Sequence, residues 1–188
     1  MTTSDPAAPE TARLCLRDGT PVVVRPIRPD DEAMIASFHA GLSPRSVYQR
    51  YFHITTLEQR TSQQRLALTC RVDPAHGAAL VAEQRGARGP EILALGRIRR
   101  TEPRDSAEMA VVVADHVQGQ GLGTAITRAL IDVARGLGVR RLYGDMFADN
   151  DAMRAVVRRS GFAIRATPGD ARVLRAERIL DDSVAAPD

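Results

Sequence analysis

With 188 residues, 44% of them hydrophobic, the chain is sized for one domain with its own core. Its formal net charge is +3, aromatic residues make up 4%, and tryptophan is absent. So small a basic excess with so few stacking rings argues against a nucleic-acid surface, and no apolar run reaches the length of a membrane span.

Residues 1–11 and 181–188 are rich in Ala, Pro, Asp, Ser and Thr and read as loose tails. That leaves 12–180 as a single domain. Leu14-Cys15-Leu16 and Val22 to Ile27 flank Arg17-Asp18-Gly19-Thr20, an Asp-Gly turn signal that predicts a hairpin. Pro29-Asp30-Asp31-Glu32 predicts a helix through His39, its acidic first turn suited to the helix dipole. Ser43-Pro44 opens a second helix to about Phe52, and 57–69 holds a third helical segment. Ala78 to Gln84 and Ile92 to Arg100 read as strands joined by Arg85–Pro90, with another strand at Glu108 to Ala114. Leu122, Ile126, Ala129, Leu130, Val133 and Leu137 share one face at a period near 3.6, and Gly136 and Gly138 end that helix. Residues 139–147 form a strand, and Asn150 or Asp151 caps a helix that stops at Ser160-Gly161. Strands follow from Phe162 and over 172–178. The plan is a mixed α/β sheet with helices on both sides.

Gln118-Gly119-Gln120-Gly121-Leu122-Gly123 sits between the valine-rich strand and the periodic helix. A glycine turn at a helix N-terminus presents unpaired N–H groups and the positive end of the dipole, which suits a phosphate or pyrophosphate. A Walker A loop requires Gly-Lys-Ser/Thr, and the sequence contains no lysine: all 26 basic residues are arginine. A dinucleotide fingerprint fails at Thr124 or Ile126, where the third glycine should stand, although Asp145 lies at about the acidic spacing. The pattern Gln/Arg-x-x-Gly-x-Gly/Ala remains.

On that pattern, with the strand before it and an Asn150 helix ending in Gly161-Phe162, the chain resembles the GCN5-related N-acetyltransferase (GNAT) superfamily. Leu16 to Thr20, Val24 to Asp31, Leu42 to Phe52 and Ala107-Glu108-Met109-Ala110 are similar to one branch, the bacterial protein lysine acetyltransferases of the Pat type. The resemblance covers about 14–165. It implies the GNAT fold, a mixed and mostly antiparallel sheet flanked by helices. It also implies acetyl-CoA as co-substrate and a protein lysine as acceptor, with an acyl-CoA synthetase as the favoured partner. At this length the chain is expected to be a stand-alone form of a domain that is fused to others elsewhere in the branch.

The backbone at Gly119, Gln120, Gly121, Leu122, Gly123 and Thr124 would cradle the pyrophosphate, with Gln118 opening the motif. The edge of Val111, Val112 and Val113 would pair with the pantetheine arm as an added strand. Asn150 is expected to cap its helix and reach the same arm, and Arg154 is a candidate for the 3′-phosphate. A lysine amine is protonated at neutral pH and needs a base. Glu108 is the candidate: it opens an apolar strand and shares a face with Ala110 and Val112, and partial burial there would raise its pKa. No general acid is assigned, because Val157 occupies the position seven after Asn150 where many relatives carry tyrosine. Tyr143 reads as packing and Ser160 as a helix end.

Cys15 and Cys70 suggest neither a disulfide scaffold nor a zinc site, and His39, His53, His76 and His116 lack ligand spacing. No metal is expected. Met1 to Thr11 lacks the parts of a secretory signal, so a cytoplasmic location is expected. A lysine-free enzyme could not acetylate its own side chains. Two other functions share the donor chemistry: acetylation of a small-molecule amine, and a non-catalytic acetyl-CoA-sensing module. The oligomeric state is open.

Overall fold

The computed structural model describes residues 12–86 and 89–180. The tails expected at 1–11 and 181–188 lie outside the described residues. Eight strands make one sheet: β1 (Ala12–Cys15), β2 (Pro21–Pro26), β3 (Gly77–Gly86), β4 (Gly89–Thr101), β5 (Ser106–Val113), β6 (Arg141–Phe147), β7 (Ala163–Thr167) and β8 (Asp170–Ile179). Their order is β1-β2-β3-β4-β5-β6-β8-β7. Every neighbouring pair is antiparallel except β5 with β6, which is parallel. The helices are α1 (Glu32–Ala40), α2 (Pro44–Tyr51), α3 (Leu57–Thr61), α4 (Gln63–Cys70), α5 (Leu122–Gly136) and α6 (Asp151–Arg159).

Neighbouring residues of β4 divide the helices between the two faces. A Cβ at Gly96 would stand 2.8 Å from Leu130 and 3.2 Å from Ile126, so α5 lies directly on that face. Arg97, pointing the other way, meets Arg50 of α2 and Arg65 of α4. The apolar stripe of α5 is fully buried at Leu122, Ile126 and Leu130, as its 3.6 period requires. Val81, Leu93, Ala94 and Leu142 complete the core from the sheet.

Local sequence explains most boundaries. The Asp-Gly turn closes with Leu16 N–H on the Thr20 carbonyl at 2.9 Å, and Gly19 takes φ +88°. Ser43 caps α2 by accepting from Ser46 N–H. Several boundaries differ from expectation. The segment 57–69 is two helices, because Ser62 takes an extended ψ of 144° and caps α4. β3 and β4 run on to Gly86 and Gly89, because backbone pairing continues after the apolar alternation stops. Val139 is not in β6: its N–H bonds the Ala134 carbonyl past Gly138 at φ +71°, which makes it part of the end of α5.

The run Val24 to Asp31 is a clamp. Arg25, 4% exposed, grips buried Asp31 with two hydrogen bonds of 2.7 and 2.8 Å and Glu83 with a third. Burial alone would push the Asp31 carboxyl up. The bonds from Arg25 and the Arg28 N–H outweigh it and hold the carboxyl below its usual range. The clamp fixes the entry to α1 against β2 and β3.

Candidate active site

β5 and β6 are paired only at Ser106–Arg141, Ala107–Leu142 and Glu108–Tyr143. Beyond that point the two strands separate, although β5 continues to Val113 and β6 to Phe147. Gly144 marks the divergence, where an added Cβ would lie 2.7 Å from the Met109 carbonyl oxygen. The edge of β5 from Met109 to Val113 is therefore left without a strand partner on the β6 side. An extended, amide-bearing chain can pair with such an edge.

At the wide end of the gap stands the glycine turn. Gly119 and Gly121 have φ of +78° and +96°, conformations that a Cβ would strain. Gly121 is the N-cap of α5 and brings no side-chain cap. Among the described residues, the N–H groups of Gly119, Gln120, Gly121, Leu122 and Gly123 have no partner, whereas the Thr124 N–H is taken by the Gly121 carbonyl at 3.1 Å. Gly123 is required for a different reason: a Cβ there would stand 3.1 Å from Val156 of α6. The third glycine of the motif thus lets α5 and α6 close on each other. Five free donors at a helix N-terminus fit a pyrophosphate.

One cleft of about 390 Å³ joins this turn to the β5–β6 gap. Glu108, Val111, Val112, Val113, Gln118, Gly119, Gly121, Gly123, Thr124 and Asn150 all line it. Gln120, Leu122 and Arg154 are not among the lining residues. Leu122 is in the core, 1% exposed. Arg154 turns instead to Asp151 at 2.9 Å. Asn150 caps α6, its Oδ1 accepting from the Met153 N–H at 3.0 Å, and still reaches the cleft.

Gln118 braces the turn from inside. Its amide donates to the Val113 carbonyl at 3.1 Å and to the Ser46 hydroxyl at 3.2 Å. Ser46 and Ser43 in turn donate to Asp115 at 2.7 and 2.6 Å, and the Ser43 N–H reaches it at 2.9 Å. Burial acts to raise the Asp115 carboxyl, but these bonds win and hold it below the ordinary range. The network ties the start of α2 to the glycine turn across the top of the cleft.

Glu108 faces the same side of the sheet as Ala110 and Val112. The expected partial burial is found, its side chain being 42% exposed, but the carboxylate is also paired with Arg99 at 2.7 Å. The cause is the β4–β5 register, which puts Arg99 directly opposite Glu108. Tyr143 lies between Arg141 and Arg175, each 4.8 Å from its ring centre. Val157 is buried, and Ser160 is buried at the end of α6.

Ser46, Gln49, Arg50, Tyr51 and Phe52, none of them singled out by the sequence reading, line the same cleft as Glu108. Ser46, Gln49 and Arg50 share one helical face, the i, i+3, i+4 signal that marks them. Among the described residues no group of three His, Cys, Asp or Glu side chains is placed to hold a metal, and no helix is long and apolar enough to cross a membrane.

The family profile described as "Acetyltransferase (GNAT) domain" matches residues 22–163. The chain belongs to the GNAT acetyltransferase family. It is therefore an acyltransferase that uses acetyl-CoA. It is similar to an acetyltransferase of Pseudomonas aeruginosa, 32% identical over 155 residues and covering 82% of each chain. It is 30% identical to acetyltransferase Pat of Mycolicibacterium smegmatis over 78% of this chain, spanning 42% of that protein. The crystal structure of the GNAT domain of S. lividans PAT superimposes with a TM-score of 0.79 at 30% identity, covering 90% of this chain and 97% of that one.

Proposed function

We propose that this GNAT domain acetylates a lysine side chain of a protein, with an acyl-CoA synthetase as the favoured target and Glu108 as general base. The observation that carries the reading is the position of Glu108, on the wall of the same cleft as the unpaired β5 edge and the glycine turn. The N–H groups of residues 119–123 would hold the pyrophosphate. The edge of Val111, Val112 and Val113 would align the pantetheine arm, and a β5 N–H would stabilise the developing oxyanion. Glu108 would take the proton from the attacking ammonium, directly or through water. The N–C bond forms as the C–S bond breaks, and the departing thiolate takes its proton from solvent.

Three observations support a protein acceptor. Phe52 lines the cleft and is exposed, as is Tyr48 one helical turn before it; Tyr48 stacks on Phe147 at 5.0 Å and Phe52 lies tilted against the same ring at 4.6 Å. The chain continues to Ile54, 89% exposed. Both Pat proteins named above are among its relatives.

The test is thiol release from acetyl-CoA in the presence of an acyl-CoA synthetase, for wild type and Glu108→Gln. The expected result is acetylation of one lysine by wild type and a fall in kcat of about 10²–10⁴-fold in the variant, with acetyl-CoA affinity retained. Equal turnover would remove Glu108 from the chemistry. Turnover only on small amines would favour the small-molecule acceptor, and turnover on none the sensing module.

A further inference from the structure

Beside Glu108 lies more positive charge than it balances, although of the four arginines concerned only Arg50 lines the cleft itself. Arg97 and Arg99 of β4 stand opposite Ala110 and Glu108 of β5, so all four side chains rise from one face of the sheet. Arg50 of α2 and Arg65 of α4 approach the same place. Arg99 is engaged by Glu108. Arg50 and Arg97 are half-buried, and among the described residues neither has a carboxylate within ion-pair distance or donates a hydrogen bond. Arg50 lies over the Tyr51 ring at 5.1 Å and lines the cleft with Glu108.

Burial and the neighbouring cations pull both guanidinium groups below the usual arginine range. Each would be stabilised by an anion, and none of the side chains around them supplies one beyond Glu108. A lysine ammonium entering alone would meet net repulsion at this point. An acceptor that brings its own negative group would not.

We infer that Arg50 and Arg97 form a receptor for a carboxylate carried by the acceptor close to the amine that is acetylated. The inference rests on the acetyl-transfer reading above. On a protein substrate the carboxylate is an Asp or Glu side chain beside the acceptor lysine. The α-carboxylate of a free amino acid offers the same chemistry. Arginine suits the task because its planar fork takes a carboxylate through two parallel hydrogen bonds.

The experiment measures kcat/KM at low ionic strength on two lysine peptides that differ only in Glu or Gln beside the lysine. A second arm uses free amino acids against the corresponding decarboxylated amines. Wild type is expected to favour the Glu peptide by about tenfold or more. Arg97→Gln and Arg50→Gln should bring that ratio close to one through KM, and Arg97→Lys should restore part of it. Retained acetyl-CoA affinity shows that the Arg97 variants are folded. Equal use of both peptides by wild type, or a preference that survives Arg97→Gln, overturns the receptor while leaving protein acetylation standing. A carboxylate preference confined to free amino acids and lost in Arg97→Gln keeps the receptor and removes the protein acceptor. Turnover in neither arm removes both.

Discussion

His39 shows how a single buried residue carries the electrostatics of its surroundings. It is 3% exposed, and its Nδ1 has no hydrogen-bond partner. Burial, then repulsion from Arg60, Arg50 and Arg65, lowers its pKa from 6.5 to about 4. The unfolded chain takes up a proton near pH 6.5 that the folded protein refuses until about pH 4. Stability should therefore fall as pH drops through that window and level off below it, by up to about 3 kcal/mol. Denaturant midpoints measured from pH 7 to pH 4 check this, and His39→Gln should flatten the curve. The sequence placed His39 on a helix and away from metal chemistry. It did not reveal the arginines around it, which arrive from α2, α3 and α4.

At the level of elements, the glycine turn is held by parts distant in sequence. Its glycines are legible because positive φ and close packing leave no other choice. The network from Asp115 through Ser43 and Ser46 to Gln118 was not legible, although Ser43-Pro44 did announce the start of α2. Asp115→Ala removes the acceptor for three hydrogen bonds and leaves the Gln118–Ser46 bond as what remains of this network between α2 and the turn. Hydrogen bonds to a charged group are worth about 1.5–3 kcal/mol each. We expect KM for acetyl-CoA to rise by roughly tenfold or more, with a smaller change in kcat, measurable by thiol release at varied acetyl-CoA. An unchanged KM would show that the turn holds its shape without Asp115. Arg17, from the β1–β2 turn, also reaches this loop, donating to the Gly119 carbonyl at 3.1 Å.

For the whole molecule, the decisive feature is a sheet made of two antiparallel halves, β1 to β5 and β6 to β8, that meet over three residue pairs and then part. The gap between them is the cleft. Gly144 sits where the halves diverge, with no room for a side chain against the Met109 carbonyl. Gly144→Ala should force the halves apart, lower stability by about 1–3 kcal/mol and weaken acetyl-CoA binding. Thermal unfolding and a direct binding titration check both. A variant as stable and as tight-binding as wild type would mean that the junction yields without cost.

By itself the sequence determined most of the elements, though not the break at Ser62, together with the glycine turn, the cap at Asn150 and the donor substrate. Each of these depends on neighbours within a few residues, through dihedral freedom, helical period and capping. Only the tertiary structure decided the rest. Arg99 faces Glu108 because of the β4–β5 register, and α2 lines the same cleft because it packs across β5 and β6. Gly144 opens the cleft because a parallel pair stops early. These contacts join residues far apart in the chain, so no local pattern records them.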